Sequence, residues 1–257
     1  MTAGDRLRGV AAGLVAGFAG GLFGVGGGVL LVPVLTGVFG LTQHQAHGTS
    51  LAVLAATALP AVVVYALHGH VAWLTAAVVG VASLATAPLG ARLASRLSGR
   101  ALRRAFAVFL VLVAVRLLWR VPEDGPIPSV SGWVGVAFGL VVGAAIGVLA
   151  GLMGVGGGIL AVPAFALGLG MPQHAAQGTS LAVILVTGPA GALAHARRGN
   201  FVGRVVPPLA IGAAIGAPLA SWLAGGLRND LLVRIFALFL LANAVHGWLR
   251  TRRPAAA

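Results

Sequence analysis

Gly24-Val25-Gly26-Gly27-Gly28 returns as Gly154-Val155-Gly156-Gly157-Gly158, and Gly48-Thr49-Ser50-Leu51-Ala52-Val53 returns as Gly178-Thr179-Ser180-Leu181-Ala182-Val183. Both recurrences lie 130 positions on. The same offset pairs Pro33 with Pro163, His44 with His174, Ala87-Pro88-Leu89 with Ala217-Pro218-Leu219 and Phe106 with Phe236, without an insertion or deletion. The chain is therefore a duplicated unit. Around the glycine clusters the sequence is 59% hydrophobic and 8% charged over 257 residues, with a mean hydropathy of +1.01. A soluble domain of this size needs far more polar surface, so the solvent for the exterior is lipid. Duplicated, glycine-interrupted bundles of membrane helices are a transporter signature.

The net charge of +13 would suggest nucleic acid on a soluble protein. Here the arginines cluster between apolar runs, at Arg6 and Arg8, within 92–104, within 197–204 and within 250–253. That distribution orients a membrane protein and gives no nucleic-acid surface. There is no cysteine, which excludes disulfides and thiolate metal sites. Residues 10–23 after Arg6 and Arg8 resemble a secretory signal, but the same segment recurs internally at 140–153, so it is read as part of the repeat.

Apolar runs long enough for a crossing, ~20 residues for ~30 Å of hydrocarbon, fall at 51–67, 71–93 and 102–119, and again at 181–196, 205–223 and 231–249. Each unit opens with a longer stretch, 9–41 or 139–171, too short for two full crossings and too long for one. Four glycines among five residues sit in its middle and cost the helix ~1 kcal/mol each. The stretch is expected to form two half-length helices meeting at a glycine tip, as a re-entrant hairpin or an interrupted span. Such backbone is tolerated at membrane depth only where it lines a cavity or is covered by protein. The arginine clusters can all be cytoplasmic if each opening stretch returns to its starting side, which places both termini inside and inverts one unit relative to the other. The organisation read is 1–120 as the first membrane repeat, 121–131 as a proline-rich linker and 132–257 as the second repeat. Gly13, Gly17 and Gly21, with Gly143, Gly147 and Gly151, fall four apart on one face and are read as helix-packing positions.

Asp5, Glu123, Asp124 and Asp230 are the whole acidic inventory, and all lie at the ends of apolar runs. A cation carrier usually exposes a carboxylate along its pathway, so their placement tilts the substrate toward an anion. Backbone N–H groups at a glycine-rich half-helix N-terminus supply the partial positive charge an anion needs. The substrate-binding candidates are accordingly Gly26, Gly27, Gly28, Gly156, Gly157 and Gly158, joined by Thr49, Ser50, Thr179 and Ser180, whose hydroxyls can donate to a ligand or cap the helix expected to begin there. Gln43, His44, Gln173 and His174 recur beside them and are candidates for a pathway or proton relay, as are Thr57 and Thr187, whose hydroxyls can equally bond their own helix backbone. Catalytic residues, a metal site and a cofactor are not expected: Gly24-Val25-Gly26 has neither the strand nor the spacing of a dinucleotide fingerprint, and no carboxylate pair, histidine-rich cluster or Ser-His-Asp set is evident.

Taken together, Gly-Val-Gly-Gly-Gly, the following Leu-x-Val-Pro at 30–33 and 160–163, and Gly-Thr-Ser-Leu, each present twice, resemble the TauE/SafE sulfite-exporter family of membrane permeases. The resemblance runs from about residue 10 to 250. It implies a multi-pass inner-membrane carrier of small anions such as sulfite, thiosulfate or sulfoacetate. The fold expected is all-α: a polytopic integral membrane protein with two inverted repeats, each a glycine-broken helical hairpin plus three transmembrane helices. The function expected is secondary anion transport by alternating access, with a coupled proton and a homo-oligomer both left open, and no enzymatic activity. A passive anion channel and a membrane-embedded subunit without transport are the alternatives. Arg92 has Trp222 opposite it, so any attraction of anions by that arginine is not duplicated.

Overall fold

A computed structural model describes residues 2–94, 99–119, 125–153 and 157–252. Among them the elements are all helical: α1 (Ala3–Phe23), α2 (Gly28–Gly37), α3 (Gln43–Leu67), α4 (Trp73–Ala94), α5 (Gly99–Trp119), α6 (Gly132–Met153), α7 (Gly158–Pro163), α8 (Gln173–Ala196), α9 (Val206–Gly225) and α10 (Asn229–Arg252). A π-helical stretch, Ala164–Gly168, prolongs α7. Seven helices (α1, α3, α4, α6, α8, α9 and α10) are long and apolar enough to cross a membrane. The run expected to be the third crossing of the first unit forms α5, a 21-residue helix that is not among these seven and carries Arg103, Arg104 and Arg116. The exterior suits lipid: Val15, Val63, Val81, Leu112, Val141, Ile211 and Leu238 are exposed, and the five tryptophans, all exposed, sit near helix ends as interfacial anchors do.

The first unit opens with a hairpin, but its two limbs are unequal. The first limb is full-length, not half: α1 runs 21 residues because Thr2 and Asp5 form a capping box that starts the helix well before the apolar run. The second limb, α2, has ten residues. It folds back antiparallel, since a methyl group built on Gly27 would strike the Ala16 carbonyl and one built on Gly9 would lie 3.7 Å from the Phe39 ring. α3 and α8 begin earlier than their Gly-Thr-Ser segments. They begin at Gln43 and Gln173, so Gly-Thr-Ser lies two turns inside the helix and does not cap it; Thr42, with Gln45, caps α3. Polar residues hide the true start from a hydropathy reading: in α8, Gln173, His174 and Gln177 are buried in the protein, whereas in α3, Gln43 and His44 are exposed.

The units interlock. α1 packs along α9, α4 along α6, α3 across α8 and α5 against α10, so each cross-unit pair is either its own counterpart or accompanied by it. Directions follow from the glycine contacts. Gly13, Gly17 and Gly21 face Leu209, Ala213 and Ala217, so α1 and α9 are parallel; Gly143 and Gly147 face Val79 and Ser83, so α4 and α6 are parallel. The backbones approach closely enough that a methyl on Gly17 would lie 2.5 Å from Ala213 Cα, which is why these positions are glycine. α3 and α8 are antiparallel, with Gly48 at His195 and Gly178 at Tyr65.

Candidate functional site

The glycine tips are held at the centre of this arrangement. Gly24, Gly26 and Gly27 have φ of 70°, 71° and 83°, a region open to glycine without strain, and residues 24–28 are all buried. The N–H groups of Gly24, Val25 and Gly26 converge on the Gly20 carbonyl, which commits them to holding the turn. Beyond the turn the supply changes. Gly27 caps α2 with no side chain, and Gly157 does the same for α7; Leu30 and Leu160 N–H donate to the Gly27 and Gly157 carbonyls, which leaves the N–H groups of Gly28 and Val29, and of Gly158 and Ile159, with neither an intrahelical acceptor nor a side-chain cap. These are the groups a bound anion would accept from.

The tips also meet. A methyl built on Gly158 would lie 2.9 Å from Val25 Cα, and the Ile184 side chain borders both Gly26 and Gly158. Leu54, the counterpart of Ile184, borders Gly26 and Gly28. Leu54 and Ile184 are each the twelfth residue of a helix of 25 or 24, so the tips lie about halfway along α3 and α8. Of the candidate glycines, Gly156 lies outside the described residues, as do linker residues 121–124.

The Gly-Thr-Ser positions divide. Thr49 Oγ1 accepts from Val202 N and Thr179 Oγ1 accepts from Ala72 N, both at 3.0 Å, an exchange reciprocal to the residue at the 130 offset. Gly48 and Gly178 admit the Asn200 and His70 carbonyls of the same loops. Each Gly-Thr pair thus clasps the turn between the second and third long helices of the other unit. Ser180 instead reaches the tips: its Oγ is 2.8 Å from the Gly24 carbonyl and 3.4 Å from that of Gly158. Ser50 Oγ donates to the His47 carbonyl.

The remaining candidates fall on two sides of the tips. On one, Gln173 is fully buried, its N–H donates to Asn229 Oδ1 at 2.8 Å, and its side-chain amide finds no protein partner among the described residues. His174 Nε2 lies 3.0 Å from the Ala224 carbonyl, and its ring centroid is 5.0 Å from that of His70. On the other side Gln43 and His44 are exposed, and Gln43 Nε2 is 3.0 Å from His47 Nε2. Thr57 and Thr187 both bond the carbonyl one turn back, to Val53 and Val183.

Tyr65 and His195 stand at the same position in the two units, and no repeated motif marks either of them. Tyr65, the chain's one tyrosine, is buried in a packed wall with Oη 3.0 Å from the Gly21 carbonyl and 2.9 Å from Gln177 Oε1. Its single proton satisfies the carbonyl; the Gln177 amide, whose Nε2 otherwise has no partner among the described residues, is satisfied when it turns that nitrogen to Tyr65. His195 borders a half-open cavity of about 240 Å³ between α3, α4, α6 and α8. Ser83, Gly151, Thr187 and Arg198 line it too, Gly151 being the counterpart of Gly21. From Thr187, three residues past Ile184, to the end of α8 the cavity follows the helix for about 14 Å at 1.5 Å per residue. The signal in the sequence that points to this pair is the break in the repeat itself.

Residues 2–117 and 125–257 match the family model described as sulfite exporter TauE/SafE. The chain is 30% identical over 255 residues, 96% of each chain, to a probable membrane transporter protein of Xylella fastidiosa strain 9a5c. It is 27% identical over 258 residues, covering 90% of this chain and 93% of the relative, to the probable membrane transporter protein YunE of Bacillus subtilis strain 168. No solved structure matches the chain.

Proposed function

We propose, from the premise that the chain belongs to the sulfite exporter TauE/SafE family of membrane transporters, that it is a secondary carrier of small sulfur oxyanions or organosulfonates working by alternating access. The observation that carries this reading is the meeting of two uncapped half-helix N-termini, at Gly28 and Gly158, midway along the crossing helices α3 and α8. Partial positive charge from oriented N–H groups suits an anion that must be released again, where a full ion pair at that depth would hold it. The carboxylates among the described residues, Asp5 and Asp230, sit in the first turns of α1 and α10, far along the chain from the tips.

Two inverted units supply the second half of the mechanism. A pair related by a two-fold axis in the membrane plane can exchange conformations, each adopting the other's shape, and so expose a central site first to one face and then to the other. The cavity ending at Arg198 is the open access and the wall around Tyr65 the closed one. Proteoliposomes containing the purified protein test this directly. Saturable sulfite uptake that accumulates against its own gradient when a pH gradient is imposed is expected; uptake that only equilibrates makes the protein a channel, and no uptake of sulfite, thiosulfate or sulfoacetate removes the reading.

A further inference from the structure

The cavity beside α8 is more than a passage in its chemistry, because its mouth holds the guanidinium of Arg198. Among the described residues no carboxylate lies within 4.0 Å of Arg198; the ion pair they form is Arg228–Asp230, at 3.1 Å. Arg198 shares the cavity with His195. The opposite wall is apolar, made by Leu51, Leu84, Ala87 and Pro88. The planar fork of the Arg198 guanidinium matches two oxygens of an oxyanion.

We propose that this cavity is a capture site, at which Arg198 and His195 bind the oxyanion at the mouth before it moves along Thr187 to the glycine tips. The inference rests on the transport reading for the identity of the anion, and adds a second station that sequence repetition does not mark. His68 stands at the counterpart of Arg198, so the guanidinium is found on one face only. The volume is adequate: about 240 Å³ is the share of roughly eight waters at ~30 Å³ each, enough for an oxyanion with part of its hydration.

The test uses the full chain in nanodiscs of phosphatidylcholine for sulfite binding by calorimetry, and in proteoliposomes for uptake kinetics. Arg198→Gln is expected to raise both Kd and KM about tenfold to hundredfold, as loss of a charge-assisted hydrogen bond does, with Vmax kept within about twofold. Arg198→Lys recovers part of the loss, His195→Ala weakens binding several-fold, and Arg116→Gln on α5 changes neither constant. Arg198 is exposed, so its variants fold. Wild-type Kd and KM in both Arg198→Gln and His195→Ala overturn the capture site while leaving transport standing. Sulfite binding that needs Arg198 in a protein without uptake keeps the site and removes the transport reading. Displacement of sulfite by added phosphatidylglycerol, or an Arg198-dependent association with phosphatidylglycerol and none with sulfite, assigns the cavity to a lipid headgroup and overturns the proposal.

Discussion

Tyr65 and His195 occupy one position in two copies of the same unit, and the space around them is different. The tyrosine is buried against α1 and α8, tied to Gly21 and Gln177; the histidine borders an opening of about 240 Å³ that reaches the protein surface at Arg198. The clasps flanking them do not differ: Thr49 and Thr179 take the opposite unit's loop at the same 3.0 Å. The duplication fixes a frame of helices and clasps, while the two halves differ at this position, Tyr65 being buried and His195 bordering the cavity. In the reading proposed above, that contrast separates a shut from an open access.

Removing the plug should have the largest effect. Tyr65→Ala deletes a fully buried ring and is expected to cost about 3–5 kcal/mol of stability and to turn concentrative uptake into downhill leak, since both halves are then open. Thermal unfolding in detergent and uptake against a gradient measure the two parts; uptake that remains concentrative would mean the wall is closed by something other than Tyr65. Installing the plug is the converse. His195→Tyr puts an aromatic ring into the open half, and flux is expected to fall at least tenfold with the protein still folded, a loss of about 1.4 kcal/mol. Undiminished flux would show that the cavity is not the access.

The frame is largely legible in the sequence, and the plug is not. An uninterrupted 130-residue offset reveals the duplication, Gly13 and its fellows the close helix contacts, and the glycine clusters the hairpins, because each of these depends on residue type and spacing alone. Hydropathy misjudges lengths where helices continue through polar residues: Gln43 to Ser50 reads as an interfacial segment, yet Ala46 and Gly48 to Ser50 are buried. Gly-Thr-Ser has the residue types of a helix start with ligand-facing hydroxyls, whereas the loop carbonyls and N–H groups it meets come from more than a hundred residues away. No local pattern carries that information. Arg198 and His195 escape the sequence reading for a related reason, since attention to what repeats passes over what does not.

Smaller effects sharpen the comparison further. Thr49→Val and Thr179→Val each strand a loop N–H, and each is expected to cost about 1–2 kcal/mol, with the two losses equal to within a few tenths because the clasps are counterparts. A large inequality in unfolding temperature would indicate that the clasps, too, differ between the open and the shut half. Smallest is Tyr65→Phe. It keeps the ring and loses one hydroxyl, so about 1 kcal/mol is expected, seen as a modest gain in uptake rate if the hydroxyl holds the half shut and as a slightly lowered unfolding temperature.

The chain contains no cysteine, which makes a direct measurement simple. Thr57→Cys and Thr187→Cys place one thiol at equivalent depths in the two halves, and a membrane-impermeant maleimide applied from each side of the bilayer reports which is reachable. Thr187→Cys should label from the Arg198 side and Thr57→Cys should be protected from both; equal labelling of the two, or labelling of Thr57→Cys alone, would contradict one half being open while its counterpart is shut.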